Sequence, residues 1–138
     1  MNPGGELDYD WTLDKDWGRE LRLREIRNLL IRDKLEMGKT VAYRQSGWSC
    51  YPMIHSNDLC YYEPVHHDPA NVKKGDIVFC LVEPGPRFYA HMVKYITWNW
   101  YDKTKRTEQC YTISNLKGRE NGWCFIDQIY GKLYRIMH

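Results

Sequence analysis

Residues 77–82 (Ile-Val-Phe-Cys-Leu-Val) are apolar at every position. Side chains of a β-strand alternate between the two faces of a sheet, so a strand without a polar position is buried on both faces. Such a strand needs neighbours on both edges and a covering layer on both sides. The chain has 138 residues, 43% of them apolar, which is enough for one compact domain around that strand. We therefore expect residues 77–82 to form the central strand of a single domain.

Further short runs rich in β-branched and aromatic residues follow Gly38, each bounded by Gly, Pro, Asn or Asp. They predict strands at 40–43, 58–62, 87–97, 109–113 and 130–136. The strand at 87–97 alternates, which places Tyr89, His91, Val93 and Tyr95 on one face. The expected fold class is mainly β (α+β), a small and mostly antiparallel β domain preceded by one N-terminal helix.

The helix is predicted over residues 17–37. Asp16 can cap it, Leu23, Ile26 and Leu30 are spaced by three and four, and Gly38 supplies a stop. Residues 1–16 carry five acids and one base, and this composition indicates an extended acidic arm. The expected organisation is an arm over 1–16, a helix over 17–38 and a β domain over 39–138.

Charge and cysteine content narrow the function classes. The net charge of +2 lacks the basic excess of a nucleic-acid-binding protein, so no nucleic-acid partner is expected. The chain has no run of about 18 apolar residues, so no transmembrane segment is predicted. The five cysteines include no C-x-x-C pair, which favours reduced thiols in an intracellular, soluble protein. No cofactor or metal motif is present, because the single loop of His66, His67 and Asp68 offers too few defined ligands.

The segment 46–58 (Ser-Gly-Trp-Ser-Cys-Tyr-Pro-Met-Ile-His-Ser-Asn-Asp) is the least ordinary part of the chain. Two serines, a glycine and a proline crowd a tight turn before a strand. Such a turn can hold a hydroxyl beside backbone N–H groups, as a nucleophile with an oxyanion hole requires. An ordinary Ser/Gly/Pro turn is the alternative interpretation.

The order of the later motifs favours the nucleophile. S-G-W-S-C-Y-P is followed by K-K-G-D-I-V-F-C, Y-A-H-M-V, Y-T-I-S-N-x-x-G-x-x-N-G-W and I-Y-G-K-L. This series resembles the serine peptidase superfamily that includes type I signal peptidases and the self-cleaving domains of LexA-type repressors. The resemblance covers residues 40–135. It implies that Ser49 is the nucleophile and His91 the general base, a Ser/His pair rather than the Ser/Lys pair of many members.

The resemblance also implies roles for neighbouring residues. The oxyanion hole would be formed at Gly47, Ser49 and Cys50, and an extended substrate would contact Trp48, Tyr51, Pro52 and Tyr89. The chain departs from the family pattern at Cys50, at Asn57 and in residues 118–122, which contain no aspartate. Asp127 and Glu120 are the candidates to orient His91, and Asp127 is taken as the third catalytic residue. Lys94 has the opposite side-chain parity on the strand and is expected to point away from His91.

The sequence is compatible with two functions. The chain is either a serine-peptidase-like protein that hydrolyses, or self-cleaves at, a peptide bond, or a catalytically inactive scaffold that keeps the fold as an interaction module. The partner is accordingly a polypeptide substrate or another protein. Trp98, Trp100 and Tyr101 beside lysines could make a peripheral membrane contact, or could form a hairpin tip that packs on itself or on a partner.

Overall fold

The computed structural model describes residues 17–101 and 106–138, and only the backbone of 17–21, 99–101 and 106–107. Within these residues it contains one α-helix, α1 (Trp17–Glu36), and short 3-10 helices at Pro69–Asn71 and Ile126–Gln128. The strands are β1 (Val41–Gln45), β2 (Asp58–Pro64), β3 (Ile77–Val82), β4 (Arg87–Tyr101), β5 (Arg106–Ser114), β6 (Glu120–Phe125) and β7 (Ile129–Met137). The predicted fold class is confirmed.

All seven strands belong to one antiparallel sheet with the order β1-β2-β7-β3-β4-β5-β6. β3 occupies the middle of this order, and five of its six residues are buried. Val78, for example, is paired with His91 of β4 on one edge and with Lys132 of β7 on the other. The prediction of a central strand buried on both faces is therefore confirmed.

Two apolar clusters cover the two faces of β3. Ile77 and Phe79 belong to a cluster with Leu35 and Tyr62. Val78 and Cys80, which alternate with them, belong to a second cluster with Tyr111. The alternation of β3 thus explains why a run without polar residues is stable at this place, because each face has its own apolar layer.

The last turn of α1 belongs to the first of these clusters. Leu35 is 1% exposed, and a side chain at Gly131 of β7 would meet its methyl carbons at 2.8 and 2.9 Å. The apolar positions that predicted the helix, Ile26 and Leu30, are about half exposed. The contacts of the chain separate it into two compact units, with the boundary between Leu30 and Ile31. The buried helix residues therefore lie in the unit that also holds the sheet.

The sheet curls so that β6 approaches β3, although β4 and β5 lie between them in the strand order. The backbone of Glu83, just after β3, exchanges two hydrogen bonds with Trp123 of β6, at 2.7 and 3.1 Å. β6 was not expected from the sequence, because residues 118–122 (Gly-Arg-Glu-Asn-Gly) have the composition of a turn.

A β-bulge in β4 changes which residues share a face with His91. Tyr89 and Val93 lie with the second cluster, as predicted. The register shifts between Val93 and Tyr95, after which Ile96 packs on that cluster and Tyr95 is 46% exposed. The expectation for Tyr95 was wrong, because an extra residue in one strand reverses the alternation beyond it.

Three other expectations concern the termini and the surface. The acidic arm at 1–16 and the side chains of Trp100 and Tyr101 lie outside the described residues. Trp98 is described and is 74% exposed. None of the helical residues described here forms a segment with the length and apolar character that a membrane crossing requires. All five cysteines are buried thiols that form no disulfide with one another.

Candidate active site

Ser49 lies in the loop 46–57 that joins β1 to β2. Within this loop the Tyr51 N–H donates to the Trp48 carbonyl at 3.1 Å, and the Ile54 N–H donates to the Cys50 carbonyl at 2.9 Å. The Cys50 thiol donates to the Ala90 carbonyl of β4 at 3.6 Å. Ser49 is therefore held in a folded turn that is attached to the sheet next to its central strands.

A chain of hydrogen bonds joins Ser49, His91 and Asn121. The Ser49 Oγ is 2.8 Å from His91 Nε2, and His91 Nδ1 is 2.7 Å from Asn121 Oδ1. An amide oxygen only accepts, so Nδ1 carries the proton and Nε2 is the unprotonated nitrogen that accepts the Ser49 hydroxyl. This tautomer is the one that a general base for Ser49 needs.

The three residues come from distant parts of the fold. Ser49 is on the β1–β2 loop, His91 is on β4 and Asn121 is on β6. The curl of the sheet brings Asn121 to His91 across β5. The Leu116 N–H, in the β5–β6 turn, donates to the Ser49 carbonyl at 2.9 Å and so fixes the loop against that turn.

The surroundings of His91 favour its neutral form. Burial lowers the pKa of the imidazole below its ordinary value of 6.5, and the hydrogen bond to Asn121 offsets part of this change. Burial also raises the pKa of the adjacent Cys50 thiol, although its hydrogen bond with Ser49 acts in the opposite direction. At neutral pH the site therefore combines a neutral base with a neutral, apolar thiol.

The residue that contacts His91 Nδ1 is Asn121 and not Asp127 or Glu120. Asp127 is exposed in the 3-10 helix Ile126–Gln128, after β6. The Glu120 carboxylate accepts from Lys94 at 3.0 Å, and Lys94 also donates to the Gly118 carbonyl. Asn121 was not expected in this role, because the candidates taken from the sequence were the acids Asp127 and Glu120, and because β6 was not predicted. The Asn-Gly-Trp-Cys-Phe segment at 121–125 is the sequence signal that could have indicated it.

The backbone around Ser49 bears on the expected oxyanion hole. The Gly47 N–H donates to Ser56 Oγ at 3.1 Å, so it is already engaged in this conformation. The N–H groups of Ser49 and Cys50 have no hydrogen-bond acceptor among the described residues. These two are the donors that remain for a developing oxyanion.

Aromatic side chains lie within the loop 46–57 and beside His91. Trp48 is 61% exposed, and its ring lies 5.4 Å from that of Tyr51. Pro52 is exposed beside them, and Tyr89 packs on the His91 ring at 4.9 Å between centroids. Of the four residues expected to bind substrate, Trp48, Tyr51 and Pro52 belong to the loop of Ser49, and Tyr89 contacts His91.

In the loop of His66, His67 and Asp68, the side chains of His67 and Asp68 contact other parts of the fold. Nδ1 and Nε2 of His67 lie 3.1 Å from the Ile126 carbonyl and 3.1 Å from Glu36, respectively. Asp68 accepts from the Ala70 N–H and caps the following 3-10 helix.

The Ser-His-Asn arrangement can perform nucleophilic acyl transfer, since it supplies a hydroxyl, a base of correct tautomer and a group that holds the base.

In comparisons with known proteins, the chain matches no family model, no curated protein and no solved structure.

Proposed function

We propose that the protein is a serine-type peptide hydrolase that uses Ser49 as nucleophile, His91 as general base and Asn121 as the residue that orients His91. The observation that carries this proposal is the continuous hydrogen-bonded chain from Ser49 Oγ through both ring nitrogens of His91 to Asn121. The resemblance in the motifs around Ser49 and His91 supports the same assignment independently of the distances.

The proposed reaction has two half-reactions. The Ser49 oxygen bonds to the carbonyl carbon of the scissile peptide while its proton moves to His91 Nε2. The C–N bond then breaks, and the leaving amine takes that proton. A water molecule next attacks the acyl ester, gives a proton to Nε2 and releases the acid, which returns Ser49 to the hydroxyl form. The N–H groups of Ser49 and Cys50 would stabilise the oxyanion in both halves.

The substrate would be an extended polypeptide. β1 lies at one end of the strand order and continues directly into the loop of Ser49. A peptide added along the outer edge of β1 would therefore run toward the nucleophile. The exposed rings of Trp48 and Tyr51 offer apolar contact area for its side chains.

The proposal is tested first without knowledge of the substrate. A fluorophosphonate probe should label the wild-type protein at Ser49, as located by mass spectrometry of the peptides. Ser49→Ala should abolish labelling, and His91→Gln should slow it by about 100-fold or more, because general base assistance is worth about 10²–10⁴-fold. Ser46→Ala is the matched control, since Ser46 is an exposed serine of the same turn.

A screen of extended peptides then tests the reaction itself. Ser49→Ala and His91→Ala should each abolish cleavage, and the double variant should lose little more, because residues that act as one catalytic unit are not additive. If the wild-type protein cleaves no peptide and is labelled no faster than Ser49→Ala, the proposal of a peptide hydrolase is wrong. The alternative of an inactive interaction scaffold then remains. Cleavage that persists in Ser49→Ala would overturn the assigned nucleophile.

A further inference from the structure

A second cluster of side chains lies at the other end of the nucleophile loop. His55 is in the loop, Asp58 begins β2, and His138 follows β7. β2 pairs with β7 with Leu59 opposite Met137, so Asp58 and His138 meet one position farther along. The ligand atoms of the three residues all lie within 4.8 Å of one another, and these residues form the one such group of His, Cys, Asp and Glu in the described part of the chain.

We propose that His55, Asp58 and His138 bind a divalent transition-metal ion, with Zn²⁺ as the best fit, and that this ion attaches the loop of Ser49 to the end of β7. The proposal concerns a site apart from the Ser49–His91–Asn121 chain and does not depend on peptidase activity.

The distances suit a metal after small side-chain rotations. Zn²⁺ binds nitrogen and oxygen at about 2.0–2.2 Å, so two ligands of a tetrahedral ion lie about 3.4 Å apart. His138 Nδ1 lies 2.7 Å from Asp58 Oδ2, and no pair of ligand atoms is more than 4.8 Å apart. These separations lie on either side of the required one, so the three ligand atoms are already near the spacing that a tetrahedral ion needs.

The carboxylate of the cluster is buried, whereas its two imidazoles are accessible to solvent. Asp58 is 6% exposed and is fixed by the His55 N–H, which donates to Oδ2 at 2.7 Å. The His138 side chain is 60% exposed, and His55 is also exposed, so an ion can reach them from solvent. A fixed carboxylate with two accessible imidazoles gives three protein ligands and leaves one position for water.

The donor set selects the metal. Two imidazoles and one carboxylate suit Zn²⁺ and similar ions, whereas Mg²⁺ and Ca²⁺ prefer oxygen ligands alone. The two rings already lie 5.1 Å apart between centroids. Without a metal, the carboxylate holds His138 through one hydrogen bond, and no side-chain hydrogen bond engages the His55 ring among the described residues.

The site would stiffen the loop that carries the nucleophile. The His55 ring stacks on Tyr51 at 5.3 Å, and Tyr51 in turn contacts Trp48. An ion on His55 would therefore restrain the aromatic group beside Ser49 as well as the end of the loop. Zn²⁺ should slow amide hydrogen exchange in residues 46–57 while leaving β4 and β5 unchanged.

The test is a calorimetric titration of the chelator-treated full chain with ZnCl₂. We expect one equivalent to bind to the wild type, and affinity to fall by at least about tenfold in His55→Gln and in His138→Gln. His66→Gln is the control, because His66 is an exposed histidine outside the cluster. Both test variants alter exposed side chains, so circular dichroism should confirm that they fold.

Co²⁺ distinguishes the ligands. Bound by nitrogen and oxygen in this site, it should give visible absorption of a four- or five-coordinate ion without the near-ultraviolet charge-transfer band of a thiolate. No stoichiometric binding to the wild type would overturn the proposal and leave the cluster as a hydrogen-bond network only. Binding that survives both histidine variants, or that shows the thiolate band, would also overturn it by placing the ion elsewhere.

Discussion

At the scale of single residues, the site depends on how His91 is held. Its Nδ1 proton is directed to a neutral amide and not to a carboxylate, so this partner carries no negative charge that would stabilise an imidazolium. Burial lowers its pKa, and the Asn121 bond opposes this only in part. A base of this kind is unprotonated over the whole neutral range, and the pH dependence of the protein should reflect that.

The first prediction concerns pH. Peptidase kcat/KM should rise with pH through an inflection below 6.5, the ordinary value, and be flat at neutral pH. Because the folded protein protonates His91 less readily than the unfolded chain does, stability from this residue is complete above about 6.5 and is lost as the pH falls. Urea melts of wild type and His91→Gln between about pH 5 and 8 measure this difference. An inflection of kcat/KM above 6.5 would contradict the assigned base.

The second prediction concerns Asn121. Asn121→Asp keeps an acceptor for Nδ1 and should retain activity, with the His91 pKa raised by the new charge. Asn121→Leu has a similar volume but no acceptor, and we expect kcat to fall by about 100-fold because the ring loses its orientation and tautomer. Imidazole ¹⁵N shifts report the tautomer directly. Equal activity of the two variants would show that Asn121 does not position His91.

At the scale of elements, β6 decides whether Asn121 reaches His91. Gly122, the next residue, has φ +147°, and a Cβ there would collide with the Glu83 carbonyl and would lie 2.9 Å from a Val82 methyl carbon. β6 can therefore approach the end of β3 only because this position lacks a side chain. The two backbone hydrogen bonds between Glu83 and Trp123 need that approach.

The third prediction follows from this contact. Gly122→Ala should destabilise the protein by about 2–5 kcal/mol, combining backbone strain of about 1–2 with overpacking of about 1–3 kcal/mol. It should also lower activity in the folded fraction, since Asn121 moves with β6. Gly75→Ala is the control, because Gly75 has φ +95° but open space around it. Chemical denaturation and steady-state kinetics give both readouts, and equal losses in the two variants would refute the close-approach argument.

The fourth prediction concerns the end of α1. Leu35 is buried against Gly131, so Leu35→Ala should lower the free energy of unfolding by about 2–5 kcal/mol. Met37 follows the helix and is 67% exposed, and Met37→Ala should change that free energy by no more than about 0.5 kcal/mol. Denaturation of both variants by urea makes the comparison. Similar values would mean that the last turn of α1 contributes little to the core.

At the scale of the whole molecule, the curl of one sheet assembles the site. Ser49 and Asn121 are 72 residues apart in the sequence and belong to opposite ends of the strand order, yet both contact the same ring of β4. The second apolar cluster lies inside the curl and includes residues of β3, β4, β5 and β6. Core packing and site geometry are therefore coupled, because the burial that closes the sheet also carries Asn121 to His91.

Several features followed from the sequence alone because they have local causes. The apolar run of β3 predicts burial on both faces whatever its neighbours are, and Gly38 predicts where α1 ends. The motifs around Ser49 and His91 also named two residues that lie 2.8 Å apart in the structure. Local residue preferences and alternation carry this information without knowledge of the tertiary contacts.

Other features were decided only by the tertiary structure. β6 begins with Glu120, Asn121 and Gly122, which favour turns, and it becomes a strand because β5 and Glu83 supply its hydrogen-bond partners. The bulge at Lys94 reverses the side-chain alternation of β4, so Tyr95 leaves the face of His91. The curl of the sheet, and not the residue type, decides that Asn121 instead of Asp127 contacts His91 Nδ1. A contact between distant strands depends on the whole path of the chain, which no short stretch of sequence encodes.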